Sequence, residues 1–141
     1  MNASTVTTVG RTITIEGGAV VWIAEGGGHV HERKNKCKIV WSNGTGRLVR
    51  LLFTDWPDGD GAVGDALWPF TKVGTTGTAS YTPGEARVYL APAATFDGTI
   101  VCGGLLVVKY DVTVMEGTSP EAPGGPDSRI KALDPLIIVE R

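Results

Sequence analysis

Apolar and polar side chains alternate with a period of two along most of the chain, the pattern of strands with one face buried. In residues 37–42, Cys37, Ile39 and Trp41 alternate with Lys38, Val40 and Ser42. Asn43-Gly44 then supplies a turn, and residues 48–53 resume as a nearly unbroken apolar run. Segment 37–56 therefore predicts a strand–turn–strand hairpin at the centre of the fold. Upstream, residues 5–15 set Val6, Ile13 and Ile15 among threonines, predicting a half-buried strand of edge type. Gly17-Gly18 turns the chain into a more buried strand over 19–24, around Trp22. Gly26-Gly27-Gly28 breaks it, and residues 29–31 read as a short extended piece before a basic loop.

Downstream of the hairpin lies a Gly-rich acidic loop bounded by Trp56-Pro57 and Trp68-Pro69-Phe70, with room for one helical turn over 62–67. Residues 71–81 are rich in Thr and Gly. Pro83-Gly84 has the order of a type II turn, 85–90 alternates as a strand, and Phe96-Asp97-Gly98 reads as a further turn before 99–102. Residues 105–115 make the longest strand pattern. A Pro/Gly-rich loop over 116–129 and a final short strand over 136–139 complete the chain. No segment carries a convincing helical period. Eight or nine short strands are most simply buried in an all-β Greek-key β-sandwich.

Composition sharpens this picture. The 141 residues suffice for one domain, taken as 1–141, with a real core. The 20 glycines fall between β-branched runs and read as turn residues. A formal net charge of −2 argues against a nucleic-acid partner. The one basic cluster, Arg33, Lys34, Lys36 and Lys38, reads as a solvated loop beside Glu32. The N-terminal residues lack the charged and apolar regions of a secretory signal, which makes the cytoplasm the expected location. No apolar run reaches the roughly 20 residues that span a bilayer, so no membrane is expected as partner.

Two stretches carry a family likeness. The ending, KYDVTV, a loop, then LDPLIIVER, resembles the closing hairpin of bacterial cupredoxin-like domains. The middle, KCKIVWSNGTGRLVRLLF, resembles their strand–turn–strand with a Trp-x-Asn. The resemblance implies a cupredoxin-like sandwich. A blue-copper site needs two His, one Cys and usually an axial Met, and the family gathers most of them around the loop between the last two strands. Here that loop, 116–133, has no His, Cys or Met, and only Met115 sits beside it. The resemblance thus implies the fold without its metal and no cofactor. An immunoglobulin-like topology is the rival, since Cys37 and Cys102 lie 65 residues apart and DGTIVC is like the approach to the second cysteine of that fold. Against it, Ile100 occupies the corner-tyrosine position and Trp41 is too close to Cys37.

Candidate chemistry is sparse. His29 and His31 would project from one face of a strand, and with Cys37 and Cys102 they form a candidate tetrahedral zinc or copper set. Asp55, Asp58, Asp60 and Asp65 form an acidic loop without EF-hand spacing. Bounded by Trp56, Trp68 and Phe70, that loop, with Asp58 and Asp60, is a candidate contact surface. No GxSxG elbow, Walker loop or dinucleotide fingerprint is present. Without a signal peptide, Cys37 and Cys102 are expected as two buried thiols in preference to a disulfide. The expectation is a non-enzymatic structural or interaction module, partnered by itself or by another protein and self-associating as a subunit of a larger assembly. The alternative is a metal-binding sandwich built on His29 and His31. A sugar-binding sandwich using Trp56 or Trp68 is a third reading.

Overall fold

The computed structural model describes residues 6–33, 36–56 and 64–140. Eleven strands run through these residues: β1 (Thr7–Glu16), β2 (Val20–Ile23), β3 (Val30–Glu32), β4 (Lys36–Asn43), β5 (Val49–Asp55), β6 (Lys72–Thr76), β7 (Ala79–Thr82), β8 (Arg87–Leu90), β9 (Thr95–Val101), β10 (Leu105–Val114) and β11 (Leu136–Glu140). One sheet has the order β2-β1-β4-β9-β6 and the other β3-β11-β10-β5-β8-β7. We call them sheets A and B. Most pairs are antiparallel; β1 with β4 and β3 with β11 are parallel. The all-β sandwich expected from the alternation is thus present. Its strand number exceeds eight or nine, because 71–81 divides at Gly77 into β6 and β7 and the piece around Val30 pairs as β3.

The two sheets face each other through alternate residues. β4 buries Cys37, Ile39, Trp41 and Asn43, and β5 buries Val49, Leu51 and Phe53. Trp41 sits at the centre, with ring centroids 5.4–6.0 Å from Tyr110, Phe53, Phe70 and Phe96. Three of these pairs are edge-to-face and Trp41–Phe96 is stacked; aromatic pairs of either kind contribute about 1 kcal/mol each beyond the area they bury.

The expected hairpin over 37–56 is instead an arch. β4 belongs to sheet A and β5 to sheet B, and β4 already has β1 and β9 as neighbours. Asn43 makes the crossing. It is 2% exposed, and its side-chain amide is directed at the carbonyls of Arg47, Leu90 and Ala91 at 2.7–3.1 Å. Its Oδ1 accepts from the Thr45 backbone N–H and hydroxyl. A buried carboxamide with its polar groups satisfied in this way fixes the corner.

Other local expectations also change. Phe96-Asp97-Gly98 lies inside β9 and makes no turn. Pro83–Glu85 forms a 3-10 turn closed by Ala86 in the left-handed region at φ 51°, not a type II turn with Gly84 as its left-handed residue. Of the expected helical turn over 62–67, the described part, 64–67, is not helical, and Ala66 is bridged to Thr54. The second strand is an edge, not a buried one. Val21 and Ile23 point inward, which forces Trp22 outward to 43% exposure.

Candidate functional site

The four residues of the expected metal set do not come together. His29 and His31 are exposed at the β3 edge of sheet B, while Cys37 is buried on β4 of sheet A. The shared parity of 29, 31 and 37 has no consequence, because the chain changes sheet between β3 and β4. His29 Nδ1 accepts the Leu136 N–H at 3.1 Å, and His31 Nε2 pairs with Glu140. That bond holds the Glu140 carboxyl below its usual range. Among the described residues no three His, Cys, Asp or Glu side chains cluster as metal ligands.

Cys37 and Cys102 are both buried free thiols. The Cα partner of Cys37 across the ladder is Ile100, so Cys102 is displaced by two residues from direct pairing. A cross-strand diagonal is longer than disulfide geometry accepts. Burial, then the charge of Glu32, pushes the Cys37 thiol up to about 11.

Above β3, the sheets are joined by polar contacts that sequence reading missed. The buried Tyr110 hydroxyl donates to the Gly28 carbonyl. The Arg11 guanidinium reaches across to the His29 carbonyl, and Glu25 accepts the Thr12 N–H. Gly28 has φ +86° and no room for a Cβ, which would lie 2.8 Å from Ile23 and 2.9 Å from the Tyr110 oxygen. The triple glycine was the available signal: one of the three is there for close approach.

Phe70 is not on the surface. It is 7% exposed and packs edge-on against Trp41 and Phe53, so the expected Trp-edged contact surface loses this member to the core. Trp68 is half-buried against Phe53, Phe70 and Phe96, and Trp56 is half-buried beside the acidic loop. Asp58 and Asp60 lie outside the described residues. The base of the loop is closed by the Asp55 N–H bond to the Asp65 carbonyl at 2.8 Å and by Leu67 N–H to Phe53.

One flank of the sandwich brings two edge strands together. β6 is the last strand of sheet A and β7 the last of sheet B, and the two are joined through Gly77 and Thr78. Lys72, Thr75 and Thr76 of β6 are exposed. Tyr81 of β7 is 45% exposed, its ring stacked on Trp68 at 6.0 Å and 18°. The opposite flank is partly covered: the edge of β2 is bonded by segment 130–131, through Val21 N–H to the Lys131 carbonyl and Lys131 N–H to Ala19.

No protein family matches the sequence, and no curated protein matches it significantly. Among solved structures the chain is similar to the multicopper oxidase McoA from the hyperthermophile Aquifex aeolicus, with 10% identity and a TM-score of 0.51. The match covers 100% of this chain and 31% of that one. The residues here do not fit a copper centre like those that such a name implies. Met115 follows the end of β10 that lies near Val49, whereas Cys37 and Cys102 lie at the opposite end of the sandwich, near Val101. A ten-residue strand separates those ends by about 30 Å. At this identity the likeness is one of fold alone, and the fold is that of a cupredoxin-like β-sandwich.

Proposed function

We propose that the protein is a non-catalytic interaction module that self-associates, as a subunit of a larger assembly, through the β6–β7 flank. The observation that carries this reading is the pair of adjacent edge strands, one from each sheet, on one side of the molecule. An edge strand presents unpaired N–H and C=O groups that another strand satisfies. β6 offers five residues of such edge, with two small threonines and a glycine that leave the backbone accessible. The exposed Tyr81, rigid on Trp68, provides an aromatic anchor beside it. The same flank meeting itself about a two-fold axis gives a closed dimer.

The non-catalytic part of the reading is supported by how the reactive side chains are occupied. Both histidines are engaged with β11, the Cys37 thiol is buried and held protonated, and the buried Asp127 is held by Arg129 and Arg47.

Native mass by light scattering on a sizing column tests the proposal. The untagged protein should run as a defined oligomer. Thr75 lies opposite Phe96 in the ladder and therefore on the inward face at the sheet margin. A lysine there blocks edge pairing, so Thr75→Lys should run as a folded monomer with its melting temperature nearly unchanged. A wild-type chain that stays monomeric at high concentration would sink the reading.

A further inference from the structure

We propose that the outer face of sheet A binds a small ligand carrying two or more linked oxyanion groups, of the di- or triphosphate type. A groove of about 440 Å³ runs across four strands there, within the size range of small-molecule sites. Its floor is one cross-strand row. The registers set Thr8 opposite Lys38, Lys38 opposite Thr99, and Thr99 opposite Lys72. With strands about 4.8 Å apart, Lys38 and Lys72 stand about 10 Å apart at their Cα atoms, with Thr99 between them. Lys36 lies two residues along β4 on the same face, about 7 Å from Lys38.

Three lysines therefore line one concavity in a chain whose formal net charge is −2. The fold gathers them, since Lys36 and Lys38 come from β4 and Lys72 from β6. The basic run around Lys36, expected as a solvated loop, is in part the start of a strand.

The local charge is incompletely neutralised. The groove contains one carboxylate, Asp97, at 3.9 Å from Lys38. That distance and its exposure make the pair weak. Asp97 also lies close over Gly74, where an added Cβ would stand 2.8 Å from its Oδ2. Among the described residues, no carboxylate lies within ion-pair distance of Lys36 or Lys72.

Lysines anchored along a row about 10 Å long at their Cα atoms suit a ligand whose charges are spread over several linked groups. Linked phosphoryl groups bring several charges to several lysines at once, and lysine acts on each as a mobile point charge. The hydroxyls of Thr8 and Thr99 line the same groove and are able to donate to phosphoryl oxygens. Val101, exposed at one end, offers an apolar shoulder to the organic part of such a ligand. The site's residues belong to one chain, and of its lining only Lys72 is on β6, the edge proposed for self-association.

Isothermal titration with inorganic tripolyphosphate at low ionic strength, on the untagged protein, tests this. One equivalent should bind, and added salt should weaken it. Lys38→Gln and Lys72→Gln should each weaken binding at least tenfold without lowering the melting temperature. Lys72→Arg should retain it, and Lys131→Gln, away from the groove, should leave it unchanged. Wild-type affinity in both glutamine variants would overturn the proposal. So would an absence of binding to the folded protein, or equal affinity for sulfate, the mark of an adventitious ion only. Binding of polyglutamate with none of tripolyphosphate would overturn it too, in favour of an acidic protein partner.

Discussion

Gly98 sits in the middle of β9, where glycine is a poor strand residue. The ring of Phe70 lies against its Cα, and a Cβ there would stand 2.2 Å from the ring. Phe70 in turn packs on Trp41, Phe53 and Phe96, so the ring has no empty direction in which to move. Gly98→Ala should cost about 3 kcal/mol by overpacking. At Gly10, in β1, an added Cβ would meet nothing within 4 Å, and Gly10→Ala should shift stability by no more than about 0.5 kcal/mol, in the stabilising direction. Urea midpoints of the two variants against wild type check both figures, and equal midpoints would contradict the packing argument. The pair also explains a misreading. Phe96-Asp97-Gly98 has turn composition, but a glycine required for a positive φ and one required for room look alike in sequence. The residue that distinguishes them, Phe70, lies 28 positions earlier.

At the level of elements, alternation was legible and partnership was not. The period of two puts Cys37, Ile39 and Trp41 on one face, and they are inward together. That β4 and β5 lie in different sheets depends on Asn43, whose carboxamide bonds to Leu90 and Ala91, far along the chain. The loop between β10 and β11 is tied to the same corner. Arg47, within the arch, donates to the Met115 carbonyl and to Asp127. Asp127 is 3% exposed and also accepts from the Arg129 backbone N–H and guanidinium. The Arg129 bonds, followed by that from Arg47, hold its carboxyl well below the usual carboxylate range. A depressed value stabilises the fold above the unfolded-chain value of about 4 and ceases to do so as pH falls through the folded value. The melting temperature of wild type should therefore fall on acidification below about pH 4. Asp127→Asn should melt several degrees lower at neutral pH and show a shallower acid slope. Parallel acid slopes for the two proteins would show that this carboxylate does not couple the loop to the arch.

For the whole molecule, the two sheets are held by an aromatic core whose only deeply buried phenol is Tyr110 among the described residues. It reaches from β10 to the Gly28 carbonyl, stacks on Phe53 and meets Trp41 edge-on. The Trp41 indole, edge-on to the Tyr110 ring, has its N–H without a hydrogen-bond partner among the described residues. Burial pushes the Tyr110 hydroxyl up to about 12. An acid raised in the folded state stabilises the fold fully below its unfolded value, about 10, and that contribution disappears as pH rises from there to the folded value. The difference between about 10 and about 12 corresponds to about 3 kcal/mol of stability lost at alkaline pH, a sizeable part of the total, about 5–15 kcal/mol, that usually holds a domain folded. Because the phenolate would sit between both sheets, its formation requires the sandwich to open as a unit. With Tyr81 and Tyr89 replaced by Phe, so that Tyr110 is the one phenol observed, phenolate absorbance and far-ultraviolet circular dichroism should change together between about pH 10 and 12. Tyr110→Phe should be less stable by about 1–2 kcal/mol at neutral pH, because the Gly28 carbonyl loses its donor, yet its alkaline transition should lie higher. If Tyr110 in that double variant ionises while the strand signal persists, the buried hydroxyl is not what couples the sheets to pH.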